Sequence, residues 1–104
     1  MGAAVFTAVA DPTRRRLLDS LRSGPRRVND LVVEQSVAQP TVSKHLKVLR
    51  DAGLVRVRAE GKHRWYELDP DPMLDLERWL APYREIWADR LDALEAHLDL
   101  TEER

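Results

Sequence analysis

Residues 36–55, SVAQPTVSKHLKVLRDAGLV, contain a helix whose start, inner face and end are all marked in the sequence. Pro40 marks the start, because proline is favoured in the first turn of a helix. The aliphatic residues that follow are spaced by four and three positions, which places them on one face. They are Val42, Leu46 and Leu49. Gly53 stands where a left-handed residue commonly ends a helix. We therefore predict a helix over residues 40–52.

The outward face of this helix carries amide, hydroxyl and ammonium groups. They belong to Gln39, Thr41, Ser43, Lys44 and Lys47. Amides and hydroxyls can bind base edges in the major groove of DNA, and cations can bind bases or phosphates. His45 lies on the same helix, and we expect it to pack or to bond near the DNA backbone. A solvated helix surface would look similar, so the neighbouring elements have to distinguish the two interpretations.

The residues after Gly53 change from a helical to a strand-like pattern. Residues 54–60 and 65–68 alternate in hydrophobicity on either side of Gly61-Lys62, which predicts a two-stranded hairpin. Its tip is basic, with Arg58, Lys62, His63 and Arg64 at or near the turn. A basic hairpin beside a DNA-facing helix is a wing, which can follow the phosphates or enter the minor groove.

Three shorter helices are predicted ahead of residue 36. They cover residues 3–10, 12–22 and 29–35. Asp11 is the expected N-cap of the second helix, and Pro12 is its first residue. The expected inward residues are Leu17, Leu18, Leu21, Leu31 and Val32. The third helix and a tight turn would hold the next helix in a helix-turn-helix arrangement. The arginines at 14–16 are expected to be mainly a solvated face.

Residues 73–99 predict a long amphipathic helix, which Pro82 should kink or break because proline removes a backbone donor. Its large apolar side chains favour a subunit interface. The predicted interface residues are Phe6, Trp79, Tyr83, Trp87, Leu91, Leu94 and Leu98. Two other interpretations stay open: a core within one chain, and an inducer pocket between Trp79, Tyr83 and Trp87.

The net charge of −1 conceals an asymmetry between the two parts of the chain. Residues 1–66 hold 13 basic and 6 acidic residues, whereas residues 67–104 hold 4 and 12. The basic part could bind a polyanion, which the acidic part would avoid. The chain has no apolar stretch long enough to cross a membrane, and its start lacks a basic region of the kind found in signal peptides. We expect a cytoplasmic protein.

Metal and enzyme chemistry are not indicated by the sequence. The chain has no cysteine, and its three histidines, His45, His63 and His97, contain no pair at a spacing of four residues. Zinc prefers three or four converging ligands, so we expect no metal site and no cofactor. His97 with Asp92 or Glu95 across a dimer is a weaker alternative. The chain has no glycine-rich phosphate loop, nucleophile elbow or catalytic carboxylate pair, so we expect no enzyme.

The segments ADPTRRRLLDSL, QPTVSKHLKVLRDAGLV and GKHRWYEL resemble the ArsR/SmtB family of bacterial winged-helix repressors. The resemblance covers about residues 3–70, and the helix over residues 73–99 takes the place of the family's dimerisation helix. It implies a homodimer that binds a palindromic operator and usually represses its own operon. It also places Gln39, Thr41, Ser43, Lys44 and His45 on the recognition helix, and Arg58, Lys62 and Arg64 on the wing.

Two features set the chain apart within this resemblance. Ala38 stands where the family usually has Ser or Thr, and losing a hydroxyl cap should cost about 0.5–2 kcal/mol of helix stability. Many members sense metals through cysteines or through Asp and His pairs on the last helix. Without cysteine, this chain resembles the metal-free branch, in which the inducer is often unknown or another protein controls release.

Together these patterns predict a mainly α protein with a small β-hairpin, a winged helix-turn-helix with a long C-terminal dimerisation helix. Residues 1–104 form one domain, with a DNA-binding core and wing over 1–70 and the dimerisation helix over 71–104. The predicted function is a sequence-specific transcriptional regulator, a homodimeric repressor of its own or an adjacent operon. One alternative is a winged helix that only binds proteins through residues 79–98. Another is an architectural DNA binder without sequence preference.

Overall fold

The computed structural model describes residues 3–102, and the backbone alone for residues 100–102. The elements are α1 (Ala3–Val9), α2 (Pro12–Leu21), α3 (Val28–Gln35), α4 (Gln39–Asp51), β1 (Val55–Glu60), β2 (His63–Leu68), a 3-10 turn (Asp71–Met73) and α5 (Leu74–Glu102). The predicted class, mainly helical with a hairpin wing and a long last helix, is confirmed. The outer ends of the predicted domain, residues 1–2 and 103–104, lie outside the described residues.

The start of α2 has the predicted cap. The Asp11 carboxylate accepts hydrogen bonds from the backbone N–H groups of Thr13 and Arg14, at 2.8 and 3.1 Å. The bond from Arg14 is the main reason that the pKa of Asp11 lies below its usual value of 3.8. Pro12 occupies the first turn, as predicted, where a missing N–H costs no helical hydrogen bond.

A short turn joins α3 to α4 in the helix-turn-helix. Ser36 ends α3 in the left-handed region, with φ 54°. The helix α4 begins at Gln39, one residue before the predicted start, and its N-cap Ala38 makes no side-chain hydrogen bond. The Ala38 carbonyl instead accepts the N–H groups of Thr41 and Val42, both at 3.0 Å. The backbone alone therefore begins this helix.

The core is formed by the first four helices and the start of β1. Its buried residues are Val5, Ala8, Leu17, Leu18, Leu21, Leu31, Val42, Leu46, Leu49, Leu54 and Val55. The predicted inner faces of α2 and α4 are confirmed, and on α3 Leu31 is buried while Val32 is half-buried. Burying one such side chain stabilises the fold by about 1.5–3 kcal/mol. Residues 5–55 therefore contain the whole buried core, and α4 lies across it.

The wing is an antiparallel hairpin with register Val55↔Leu68 to Glu60↔His63 and Gly61-Lys62 at its turn. Its second strand begins two residues earlier than predicted. A bridge that the sequence did not indicate joins Arg26 to Tyr66, through N–H···O bonds of 3.0 and 2.8 Å. This bridge attaches the wing two residues before α3, so the hairpin is positioned against the helix-turn-helix.

The last helix, α5, continues through Pro82, so a break there is wrong, and a kink there stays a prediction. Proline removes one N–H and leaves the carbonyl of Arg78 without its usual partner. Arg78 and Pro82 are both exposed, so water can bind that carbonyl and the helix continues. None of the helices within residues 3–102 has the length and apolar character needed to cross a bilayer.

Candidate nucleic-acid interface

The outward face of α4 is open to solvent. Gln39, Thr41, Lys44 and Lys47 are exposed, and Ser43 is half-buried. The Gln39 amide donates to the Ser43 hydroxyl at 2.7 Å, and the Lys47 ammonium lies 3.2 Å from the Asp51 carboxylate. Both pairs are exposed and four residues apart on the helix, so they contribute little stability and can exchange for other partners. The acidic C-terminal helix does not cover this face.

His45 lies at the edge of the same helix, half-buried against α2. The Nδ1 atom of His45 is 3.3 Å from a terminal guanidinium nitrogen of Arg14, which is the first guanidinium of the 14–16 run. His45 therefore lies at the margin of the open face that carries Lys44 and Lys47, on the side towards α2.

Arg14 and Arg15 bind the end of α1. Arg15 and Arg16 are exposed, as predicted for a solvated face, whereas Arg14 is half-buried. Arg14 donates to the carbonyls of Ala8 and Thr7, at 2.7 and 3.1 Å. Arg15 donates to the carbonyls of Val9 and Ala10, at 2.9 and 3.1 Å. The last carbonyls of a helix need donors from outside it. The signal available in the sequence was that α1 has neither a terminal glycine nor a basic residue in its last turn.

The wing carries exposed side chains at its tip: Lys62, His63 and Arg64. Arg58 differs from them, because its guanidinium bonds the carboxylates of Glu67 at 2.8 Å and Glu60 at 2.6 Å. These two bonds, the one to Glu67 first, raise the pKa of Arg58. The positive charge of Arg58 is therefore offset within the hairpin, which the strand pattern alone did not indicate.

A groove of about 360 Å³ lies between the start of α3 and the wing tip. Its lining residues are Arg27, Val28, Asn29, Lys62, His63 and Arg64. Sequence reasoning missed Arg27, whose guanidinium lies 5.5 Å from the centre of the Trp65 ring and also bonds Asp30. No local signal could have found it, because Trp65 is far from Arg27 in the sequence.

The apolar face of α5 contacts the rest of the chain near its start. The rings of Phe6 and Trp79 meet edge to face with centroids 5.7 Å apart, and Trp79 lies 5.2 Å from Tyr83. From residue 82 to residue 99 every residue of α5 is exposed. Four exposed apolar side chains of this part follow one another in steps of four, three and four residues, and we call them the distal stripe: Trp87, Leu91, Leu94 and Leu98.

The exposure of the distal stripe bears on the two other interpretations of α5, the core within one chain and the inducer pocket. These four side chains are 50–63% exposed, so the interpretation that they belong to the core of the same chain is wrong. Sequence reasoning missed two further exposed apolar residues of α5, Leu74 and Ile86. The inducer pocket stays a prediction. In residues 3–102, no three His, Asp or Glu side chains come together as metal ligands.

Comparison with known proteins identifies the family. The family model described as "Bacterial regulatory protein, arsR family" matches residues 11–57, from the cap of α2 into the wing. The transcriptional repressor SdpR of Bacillus subtilis is 32% identical over 76 residues, which are 73% of this chain and 84% of that repressor. The chain belongs to the ArsR family. It is therefore a DNA-binding transcriptional regulator and not an enzyme.

Solved ArsR structures share the fold over most of the chain. An ArsR-like regulator from Rhodococcus sp. RHA1 is 28% identical with a TM-score of 0.71, and the match covers 89% of this chain and 88% of that one. The homodimeric winged helix-turn-helix domain of Mb0332 from Mycobacterium bovis, a possible ArsR-family regulator, is 29% identical with a TM-score of 0.63. That match covers 86% of this chain and 81% of that domain.

Proposed function

We propose that this ArsR protein is a homodimer that binds a palindromic operator and represses its own or an adjacent operon. The observation that carries the proposal is the distal stripe, an apolar face on a helix that leaves the body of the chain. Such a face favours a subunit interface, because exposed apolar area is costly in water. The homodimeric state of the similar Mb0332 domain supports a second copy of the chain as the partner.

The proposed interface combines the distal stripe with the aromatic contact at the start of α5. Its residues are Phe6, Trp79, Tyr83, Trp87, Leu91, Leu94 and Leu98. A two-fold axis there would place two α4 helices in successive major grooves, about 34–36 Å apart. In this arrangement residues 1–70 bind DNA and residues 71–104 hold the dimer together. The acidic surface of α5, with eight acidic and three basic residues, would stay off the DNA.

The proposed DNA contacts come from α4 and the wing. They are Gln39, Thr41, Ser43, Lys44, His45 and Lys47 on α4, and Arg58, Lys62, His63 and Arg64 on the wing. The exposure of Lys44 on α4 and of the wing tip supports this assignment. We further propose that the protein works in the cytoplasm and belongs to the metal-free branch. The signal that releases the DNA would then be a small molecule or a protein.

Footprinting and band shifts on the DNA upstream of the gene test the proposal. We expect one protected palindrome, and Lys44→Ala or Arg64→Ala should weaken binding while light scattering still reports a dimer. Loss of one phosphate contact should reduce the slope of log affinity against log salt by about one. Arg22→Gln on the far end of α2 is a matched control for the lost charge. No preference over unrelated DNA at low salt would contradict operator binding.

The same experiment distinguishes the two alternatives. A winged helix that only binds proteins disagrees with membership of a family of DNA-binding regulators. An architectural DNA binder would shift every DNA fragment equally, without a footprint at one site.

A further inference from the structure

A hydrogen bond joins α2 to α4, and the chemistry of its two side chains fixes which one donates. A guanidinium nitrogen of Arg14, Nη1, lies 3.3 Å from Nδ1 of His45. The other two nitrogens of Arg14 are also bound, Nε to the Ala8 carbonyl at 2.7 Å and Nη2 to the Thr7 carbonyl at 3.1 Å. The guanidinium is therefore held against the end of α1, and its free edge is directed at His45.

Arginine has only donors, so the His45 Nδ1 atom must accept in this pair. A neutral imidazole that accepts at Nδ1 carries its proton at Nε2. The Nε2–H group lies on the edge of the ring opposite Nδ1, and so away from Arg14. Asp11 also lies near this ring and interacts with it electrostatically, and Lys44 precedes His45 in the sequence.

The position of His45 on α4 indicates what this donor meets. At about 100° per residue, His45 lies at the margin of the outward face, between the buried Val42 side and the exposed Lys44 side. When a helix lies in the major groove, its central face meets base edges and its margins meet the groove walls, which carry the phosphates. A phosphate oxygen accepts hydrogen bonds and cannot donate them, which suits an Nε2–H group.

We infer that Arg14 is a positioning residue that sets the Nε2–H tautomer of His45, and that this N–H binds a phosphate oxygen of the operator. The inference deepens the proposed function and depends on it for the phosphate contact. It assigns the first arginine of the run to DNA binding indirectly, through His45. The role of Arg14 exists in the free protein, so it can be measured without DNA.

The first test is nuclear magnetic resonance of the His45 ring nitrogens in the full-length free protein at neutral pH. We expect Nδ1 to resonate as an unprotonated nitrogen and Nε2 as a protonated one. Arg14→Lys keeps a donor and should keep this pattern, whereas Arg14→Met should shift the Nδ1 resonance and increase the share of the Nδ1–H tautomer. Arg16→Met is the matched control, because it removes the same charge two residues along α2 and should leave the pattern intact. An Nδ1–H tautomer in the wild type would overturn the role of Arg14.

The second test measures operator affinity. His45→Ala should weaken binding about tenfold, the loss of one hydrogen bond to a charged group. His45→Gln can donate from a similar position and should recover most of that loss. A methylphosphonate at the contacted position should weaken the wild type and leave His45→Ala unaffected. If no methylphosphonate distinguishes the two proteins, the phosphate contact is wrong.

The two tests separate this inference from the proposed function. An absence of operator preference in the wild type would overturn the proposed function and, with it, the phosphate contact. An Nδ1–H tautomer in a protein that binds its operator would overturn the positioning role of Arg14 alone.

Discussion

Two arginines of the wing show that the same residue type can have different electrostatic roles a few positions apart. Arg64 is exposed at the tip, whereas Arg58 bonds the carboxylates of Glu67 and Glu60. A cation contributes to DNA affinity by releasing counterions from phosphates, and a cation already neutralised by carboxylates contributes less. The positions of the two carboxylates therefore decide which arginine affects binding.

We expect Arg64→Gln and Arg58→Gln to affect operator binding unequally. Arg64→Gln should reduce the slope of log affinity against log salt by about one. Arg58→Gln should reduce this slope by less than half that amount. In a protein that also carries Glu60→Gln and Glu67→Gln, Arg58→Gln should reduce the slope by more than it does in the wild type. Fluorescence anisotropy over a salt series measures all four proteins. Equal slopes for the two single variants would show that Arg58 leaves its carboxylates on binding DNA.

Asp11 predicts how stability depends on acidity. Its pKa is lowered in the folded protein, mainly by the N–H of Arg14, so its charged form favours the fold. This contribution is complete above the pKa of Asp11 in the unfolded chain and is lost as the pH falls through the lower, folded value. The urea concentration at the unfolding midpoint should therefore decrease as the pH is lowered from 6 to 3. The decrease should be smaller for Asp11→Asn, because Asn caps the helix without titrating. Equal falls would contradict this role.

The end of α4 shows how one element stops and the next begins. Gly53 has φ +80°, and the N–H of Leu54 bonds the Leu49 carbonyl at 3.0 Å, as in a Schellman motif. Leu54 and Leu49 are both buried, so the cap also fixes the entry of β1 into the core. The orientation of the wing relative to the recognition helix therefore depends on this glycine.

We expect Gly53→Ala to destabilise the fold by about 1–2 kcal/mol, because a side chain disfavours the left-handed conformation. A Cβ there would lie 3.5 Å from Pro72, an ordinary contact, so crowding adds little. Urea unfolding measures the change. Gly53→Asn should cost less, since Asn tolerates this conformation better. An alanine variant as stable as the wild type would show that the turn has another low-energy form.

The shape of the whole molecule follows from α5. The chain extends 63 Å along its longest axis, and a 29-residue helix alone spans about 43 Å. From residue 82 to residue 99 this helix is exposed, and its surface combines the apolar distal stripe with acidic positions. In the proposed dimer, the distal stripe of one copy would be buried against the other copy.

Leu94→Glu and Ala96→Glu test the assembly with the same added charge on opposite faces of α5. Leu94 lies in the distal stripe, and Ala96 lies about 180° around the helix from it and is exposed. Leu94→Glu should give a monomer by light scattering and lower operator affinity about a hundredfold, because two linked half-sites no longer bind together. Ala96→Glu should change neither property. A dimeric Leu94→Glu would place the interface elsewhere.

Local signals in the sequence determined the elements of this protein. The Asp11-Pro12 cap, the spacing of Val42, Leu46 and Leu49, and Gly53 act between residues a few positions apart, so they can be recognised without a structure. They correctly located α2, α4 and the hairpin, and with them the polar face of α4. The break predicted at Pro82 is wrong, because solvent can replace the lost partner in an exposed helix, and the kink stays a prediction.

Contacts between distant elements were decided only by the tertiary structure. Arg14 binds the end of α1 and also His45 on α4, 31 positions away. Arg58 is neutralised by Glu67 on the opposite strand, and Arg26 bridges to Tyr66. Each partner is brought close by chain folding and core packing. A side chain's charge and donors are visible in the sequence, but the groups that satisfy them depend on which surfaces the core brings together.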